Sequence, residues 1–337
     1  VSVGIEQAGR EAGLAQVVVA SVPTLGRTGN RRRRFDPGDF SVVVVDEAHH
    51  TVARTYIETL GHFGLCPDIS DLKSSDLERK QVRTEVRARF AAFHPDAAAP
   101  FLVGFTATPH RSDGLGMGAV YDEIVFERSI LSMIEAGYLC PVRGIRVTTE
   151  ADISGVKVVA GDFVDSHLSK VVNTEARNRL AVSAYLKHAS GRRAIVFCVT
   201  VEHATAMLGA FRGVGVKAAA VFGHTPPDER RVIMGLFRSG KLTVLVNVMV
   251  ATEGFDVPEV SCVVMARPTK SQLLYTQQIG RGTRIAEGKE DLLVIDLVDV
   301  ARTSGGVGNL NSLFGLPPAL DLGGTAATDA LMAIEEY

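Results

Sequence analysis

The chain has no apolar run approaching the roughly 20 residues that span a bilayer, and no leader built from basic, apolar and small-residue segments at its start. Its four cysteines, Cys66, Cys140, Cys198 and Cys262, lie far apart and form no CxxC pair. That spacing argues against a disulfide framework or a zinc knuckle and for structural filler in a reducing cytosol. His49, His50 and His62 match neither HExxH nor another zinc spacing, so ordinary polar roles are expected of them. Neither charge is in excess: 36 basic residues face 38 acidic ones, for a net charge of -2. A constitutively basic nucleic-acid binder is thereby disfavoured, whereas grip on a phosphate backbone through one localised cleft is not. No short repeat or low-complexity tract stands out.

What is present is apolar material enough for two cores, 46% of 337 residues. Val17–Ser21, Val42–Val45, Phe101–Thr106, Ile145–Thr148, Ala194–Cys198, Ala218–Val221, Thr243–Asn247, Cys262–Met265 and Leu292–Leu297 read as strands. Several are almost continuous in Val, Ile and Leu, the pattern of strands covered on both faces in a parallel sheet. Helical stretches fall between them: Asp76–Phe93, Thr174–His188, Glu202–Phe211, Asp228–Phe237 and Ser271–Ile279. The alternation predicts an α/β fold. The expected division is an N-terminal domain over 1–140, a connector over 141–175, a second α/β domain over 176–300 and a tail over 301–337.

Four segments carry chemistry. In VVVVDEAHH an apolar strand ends abruptly in Asp46 and Glu47, where open α/β sheets bind ligands. One acid there can hold magnesium through water, and its neighbour can orient and deprotonate an attacking water. His49, two residues on, can report the state of such a site. In FLVGFTATPHR a second buried-type strand ends in Thr106 and Thr108, whose hydroxyls suit hydrogen bonds to the neighbouring strand's acids; an ordinary turn is the competing reading. In VLVNVMVATEGFDVPEV a strand runs into Thr252, Gly254 and Asp256, with glycine allowing close backbone approach to a ligand. In YTQQIGRGTR, Arg281 and Arg284 stand three apart and would share a face on a helical turn, suited to phosphate oxygens.

The order DEAH, TAT, TEGFD, QxxGRxxR resembles motifs II, III, V and VI of the superfamily 2 helicases, from the start of the chain to about Asp299. DEAHH followed by HRSDG resembles the bacterial DEAD/DEAH-type group related to the repair helicase XPB and to restriction-enzyme motor subunits. VVVASVPTLGR and AIVFCVTVEHA are similar to the strand-and-loop that touches nucleic acid and to motif IV. The resemblance implies two RecA-like domains with ATP in the cleft between them. It implies Asp46 on magnesium, Glu47 as general base, and His49, Thr106 and Thr108 in coupling. Gly254, Asp256, Gln277 and Gly280 would meet the nucleotide, and Arg281 and Arg284 would act as arginine fingers. Thr24, Arg27, Thr200 and Thr252 would lie along the nucleic acid, DNA rather than RNA, in repair, recombination or restriction.

The family's first motif, a GxxxxGK[ST] phosphate loop, is absent from the 45 residues before Asp46. Gly235, Gly240 and Lys241 have its spacing, but Leu242 stands where Ser or Thr must meet magnesium, and the segment runs from helix to strand, the reverse order. Three accounts stay open: a fragment of a motor, one part of a split motor completed by a partner domain or chain that supplies the loop, or a non-catalytic nucleic-acid-binding remnant. The intact acids and arginines favour the fragment, with an incomplete first domain and little ATPase activity in residues 1–337 alone. The run Arg31–Arg34 reads as a solvated loop in preference to a phosphate grip.

Overall fold

The computed structural model describes residues 1–26, 31–66, 76–96, 98–106, 117–248, 256–300, 308–317 and 319–335. The chain forms two compact units, Val1–Phe126 and Glu127–Tyr337.

In the first unit, β1 (Val3–Glu6) pairs in parallel with β2 (Val17–Ala20), which leads into the single turn α1 (Val22–Gly26). β3 (Val42–Val45) pairs in parallel with β4 (Phe101–Gly104), and α2 (Arg54–His62) and α3 (Asp76–Phe93) lie between them in sequence. A small core of Val45, Val52, Ile57, Leu60, Cys66 and Val120 holds β3 to α2. Gly104 is required at the end of β4: a Cβ there would stand 2.5 Å from the Tyr121 ring and 2.7 Å from Ala48. The arginine run is a short 3-10 turn that serves the fold. Arg31 Nε lies 2.6 Å from the buried Glu6 carboxylate, and Arg34 bonds Glu11 at 2.6 Å. Glu6 also accepts from the Ala12 N–H at 2.9 Å, so a buried charge is paired and hydrogen-bonded as burial demands.

The second unit opens with α4 (Ile130–Glu135) and β5 (Val142–Asp152). The hairpin β6 (Val158–Val159) and β7 (Asp162–Phe163) follows, then α5 (Asp165–Val172) and α6 (Glu175–His188). Next come β8 (Ala194–Phe197), α7 (Val201–Gly213), β9 (Ala218–Val221), α8 (Pro227–Arg238), β10 (Val244–Asn247) and β11 (Cys262–Met265). The chain continues through α9 (Gln272–Gly280), β12 (Leu292–Val300), α10 (Leu310–Leu313) and α11 (Ala327–Glu335). Six strands form one sheet in the order β5-β12-β11-β8-β10-β9, with every neighbouring pair parallel. Alternate residues feed two cores: Ile195, Phe197, Val263 and Met265 on one face, Ala194, Val196, Cys262 and Val264 on the other. This is why the strand sequences are continuous in apolar residues. Each buried valine, isoleucine, phenylalanine or methionine among them stabilises the fold by roughly 1.5–3 kcal/mol. Thr174, Thr200 and Ser271 cap α6, α7 and α9 by accepting from backbone N–H groups one turn on.

Two expectations are corrected. The boundary falls after Phe126, not near residue 140. The stretch 141–175 is no connector: β5 is paired with β12 from Val142↔Leu292 onward, because Val142 is buried in the sheet's core. In the expected tail, Leu310, Phe314, Leu316, Leu322 and Ala327 join the core beside Tyr275. The reversed glycine segment is as read: Gly235 lies within α8, and Gly240, at φ 73°, ends the helix before β10.

A buried polar network braces the second sheet. Arg177 donates to both Asp299 oxygens, at 2.8 and 2.7 Å, and to the Ala266 carbonyl at 2.8 Å. The Thr149 hydroxyl donates to the same carboxylate. His203 accepts from the Val199 N–H and lies 3.2 Å from Asn178 Oδ1.

Candidate functional site

In the first unit the expected acids stand at the carboxyl end of β3, where Asp46 is exposed and Glu47 half-buried. Glu47 adopts φ 50°, ψ 51°, the left-handed region. That conformation costs a non-glycine residue about 1–3 kcal/mol and persists only where the surroundings enforce it, as at functional sites. The enforcement is visible. The Glu47 N–H donates to Asp46 Oδ1 at 3.0 Å, and Ala48 N–H donates to the Phe105 carbonyl at 2.8 Å, carrying the β3–β4 ladder past the turn. The next residue, His49, is buried. Its Nδ1 lies 3.0 Å from Thr106 Oγ1 and 3.4 Å from Glu47 Oε2, so one ring links the DEAH acids to the end of β4. Thr24 sits just after β2, its Oγ1 accepting from Ser21 Oγ at 2.7 Å and from the Ala8 N–H at 3.3 Å. Thr108, Arg27 and the HRSDG segment lie outside the described residues. A hollow of about 680 Å³ between α2 and α3 is lined by none of the expected site residues.

Magnesium commonly takes one or two carboxylates and completes its shell with water and phosphate oxygens. The exposed Asp46 beside Glu47 fits that habit. No cluster of three potential metal ligands occurs among the described residues.

In the second unit, α9 carries Gln277 and ends at Gly280. Arg281 is its half-buried C-cap, and Arg284 lies beyond the turn, bridged to Leu139. The two arginines therefore do not share a helical face. The helix stops because Gly282 packs directly on Leu292, in space where any Cβ would clash, and the chain must turn there. Lys289 fixes the turn by donating to the carbonyls of Gly282 (2.5 Å), Arg284 (2.6 Å) and Pro258 (3.0 Å). Burial lowers the pKa of that lysine, yet three carbonyl acceptors hold its ammonium. Arg284 is ion-paired with Asp256, joining two expected site residues. Thr200 caps α7 and lies 2.9 Å from Ser169 of α5. Gly254 and Thr252 lie outside the described residues. Gln278, not among the expected site residues, is buried with its amide oxygen and nitrogen both lacking a hydrogen-bond partner among the described residues. The doubled glutamine of YTQQIG was the available signal.

A parallel sheet, acids at one strand end and an arginine-bearing turn after α9 define the class: an α/β protein of the RecA-like type. Residues 177–286 match the helicase conserved C-terminal domain, and residues 4–111 match the type III restriction enzyme res subunit. The two matches are those of a superfamily 2 helicase core, consistent with the DEAD/DEAH-box helicases. It is 36% identical over 295 residues to a putative mitochondrial ATP-dependent helicase, irc3, of Schizosaccharomyces pombe, covering 86% of this chain and 43% of that protein. It is 33% identical over 305 residues to the putative ATP-dependent helicase IRC3 of Saccharomyces cerevisiae, covering 90% and 40%. The chain thus spans about two fifths of these curated relatives. A fragment of a putative HsdR subunit of a type I restriction enzyme from Vibrio vulnificus shares the fold, with TM-score 0.60 at 20% identity over 88% of this chain and 50% of that one.

Proposed function

We propose that the protein is an ATP-dependent DNA helicase or translocase whose hydrolytic acids lie in the first unit and whose phosphate-facing arginines lie in the second. The observation that carries this reading is Glu47, held in a strained conformation at a strand end, with His49 set between it and Thr106. Glu47 would be the general base for the attacking water, and Asp46 would hold magnesium through water. Magnesium, when bound, would neutralise phosphate charge. His49, Thr106 and Thr108 would couple the site to movement. Arg281 and Arg284 would stabilise charge on the γ-phosphate, with Gly254, Asp256, Gln277 and Gly280 lining the nucleotide. Arg284 would exchange its Asp256 partner for phosphate. Thr24, Arg27, Thr200 and Thr252 would follow the nucleic-acid backbone.

DNA is favoured over RNA by the match to restriction-enzyme subunits. The four cysteines are free and buried, which suits a reducing compartment such as the cytosol, although the S. pombe relative is named mitochondrial. No helix among the described residues is long and apolar enough to cross a membrane. The test is ATP hydrolysis with no nucleic acid, with DNA and with RNA, by residues 1–337 and by a version extended upstream to a phosphate loop. DNA-stimulated turnover confined to the extended version supports the reading. An inert extended version beside DNA binding by residues 1–337 replaces it with a binding module.

A further inference from the structure

Lys289 belongs to none of the motifs that carry the helicase resemblance, yet it is half-buried against the turn that carries two of their arginines. A short turn aims its side chain. The Lys289 N–H donates to the Ala286 carbonyl at 3.2 Å, and Gly288 supplies the positive φ, 72°, at the third position. The side chain folds back, and Nζ donates to the carbonyls of Gly282, Arg284 and Pro258 at 2.5, 2.6 and 3.0 Å. An ammonium has three N–H donors and no acceptor, so three main-chain oxygens match it. The nearby carboxylate of Asp291 is paired with Arg192 and Arg143, so the lysine's charge serves carbonyls and not an acid.

Those three carbonyls come from two segments. Gly282 and Arg284 lie in the turn after α9, and Pro258 lies two residues beyond Asp256, the ion-pair partner of Arg284. Lys289 therefore holds the main chain on both sides of the Arg284–Asp256 pair. The carbonyl left between, Thr283, accepts from the Cys140 N–H at 2.8 Å, and Cys140 Sγ lies 3.6 Å from the Gly282 oxygen. Three consecutive carbonyls of the turn are thus fixed, while the Arg284 side chain is 45% exposed. The main chain is tied down and the guanidinium it carries stays open to solvent. Packing alone has no need of that combination; a side chain that must reach a ligand from a set position does.

We propose that Lys289 is the positioning residue for Arg284: its ammonium is a built-in cation that gathers the carbonyls of Gly282, Arg284 and Pro258 and so sets the spacing between Arg284 and Asp256. When Arg284 leaves Asp256 for a phosphate oxygen, that spacing keeps its reach short and defined. A misplacement of about 1 Å can cost on the order of a hundredfold in rate, so a lysine that touches no substrate still governs turnover. Arginine is no substitute, because a planar fork cannot aim three N–H groups at oxygens gathered round one point. The proposal deepens the motor reading above and rests on it.

DNA-stimulated ATP hydrolysis by the full-length protein tests it. Lys289→Met is expected to lower kcat by about tenfold or more and to leave KM for ATP within about twofold, because Arg284 acts on charge that grows in the transition state. In an Arg284→Ala background the same substitution is expected to cost less than about twofold more, since no arginine is left to position. An equal cost in both backgrounds, or a loss confined to KM, overturns the proposal. Lys289→Ala leaves room for a small amine. Methylammonium is expected to raise its turnover by about threefold or more, and tetramethylammonium, which has no N–H to give, is expected to leave it unchanged. Equal responses to the two salts overturn the proposal as well. Parental turnover in Arg284→Ala would remove the reading of that arginine, and the proposal with it. A slow Arg284→Ala beside a parental Lys289→Met overturns the positioning role alone.

Discussion

The strands of the two units share a sequence character and differ in what covers them. In the first unit Val44 is 60% exposed and Phe101 68%, and Val3, Val17, Val19 and Val42 are also bare. In the second unit Ile195, Val196, Val246, Val263 and Val264 are fully buried. A valine run states that a strand is built to be covered on both faces; it does not name the cover. The second unit supplies its own through α6, α7, α9 and the segment after Leu310. The first unit presents apolar faces and strand edges of the kind that seek a further layer or another chain.

The largest effect that would sharpen this contrast is at the buried ion pair. Arg177→Ala leaves the Asp299 carboxylate buried without its cation and is expected to destabilise the second unit by about 3–5 kcal/mol, read from denaturant midpoints. A loss below about 1 kcal/mol would show that Asp299 escapes to solvent and that the sheet is less sealed than described. Ile195→Ala, in the central strand β8, is expected to cost about 2–5 kcal/mol through lost burial and a cavity.

A third effect depends on pH. Burial pushes the Asp296 carboxyl up to about 6, although the Tyr275 hydroxyl and the Leu310 N–H donate to it. Burial, aided by Arg177, pushes His203 down to about 3. Asp296 binds a proton more readily folded than unfolded, so its contribution is present at about pH 4 and fades as pH rises towards 6. His203 acts in the opposite sense, losing stability as pH falls from 6.5. Over pH 4–6 each amounts to about 2–3 kcal/mol and the two largely cancel. Asp296→Asn removes one arm, so between pH 6 and 4 the variant is expected to lose about 2–3 kcal/mol relative to the parent protein. Parallel pH curves would contradict the assignment. The smallest effect belongs to the bare face: Val44→Ser should change stability by less than about 0.5 kcal/mol while reducing aggregation. A large loss there would mean that the face is covered.

The same contrast marks what the sequence could disclose. β3, β9 and β11 have the bounds expected of them, because an unbroken apolar run marks a strand whether or not both of its faces are covered. The strand-end positions of Asp46 and Glu47, and the arginines after α9, were legible for the same reason. The hairpin β6–β7 was not, because two residues per strand leave no period to detect. Glu6, buried beside Arg31, reads in sequence as surface charge, since its partner lies 25 positions away. Arg281 and Arg284 were misplaced on one helical face because spacing alone does not show that Gly282 must pack on Leu292.

Whether Glu47 is the base of a nucleic-acid-driven ATPase is decided by Glu47→Gln in the full-length protein, measuring DNA-stimulated ATP turnover beside nucleotide binding. Turnover lowered by about a hundredfold or more with binding retained is the expected result. Turnover within about twofold of the parent protein would contradict it.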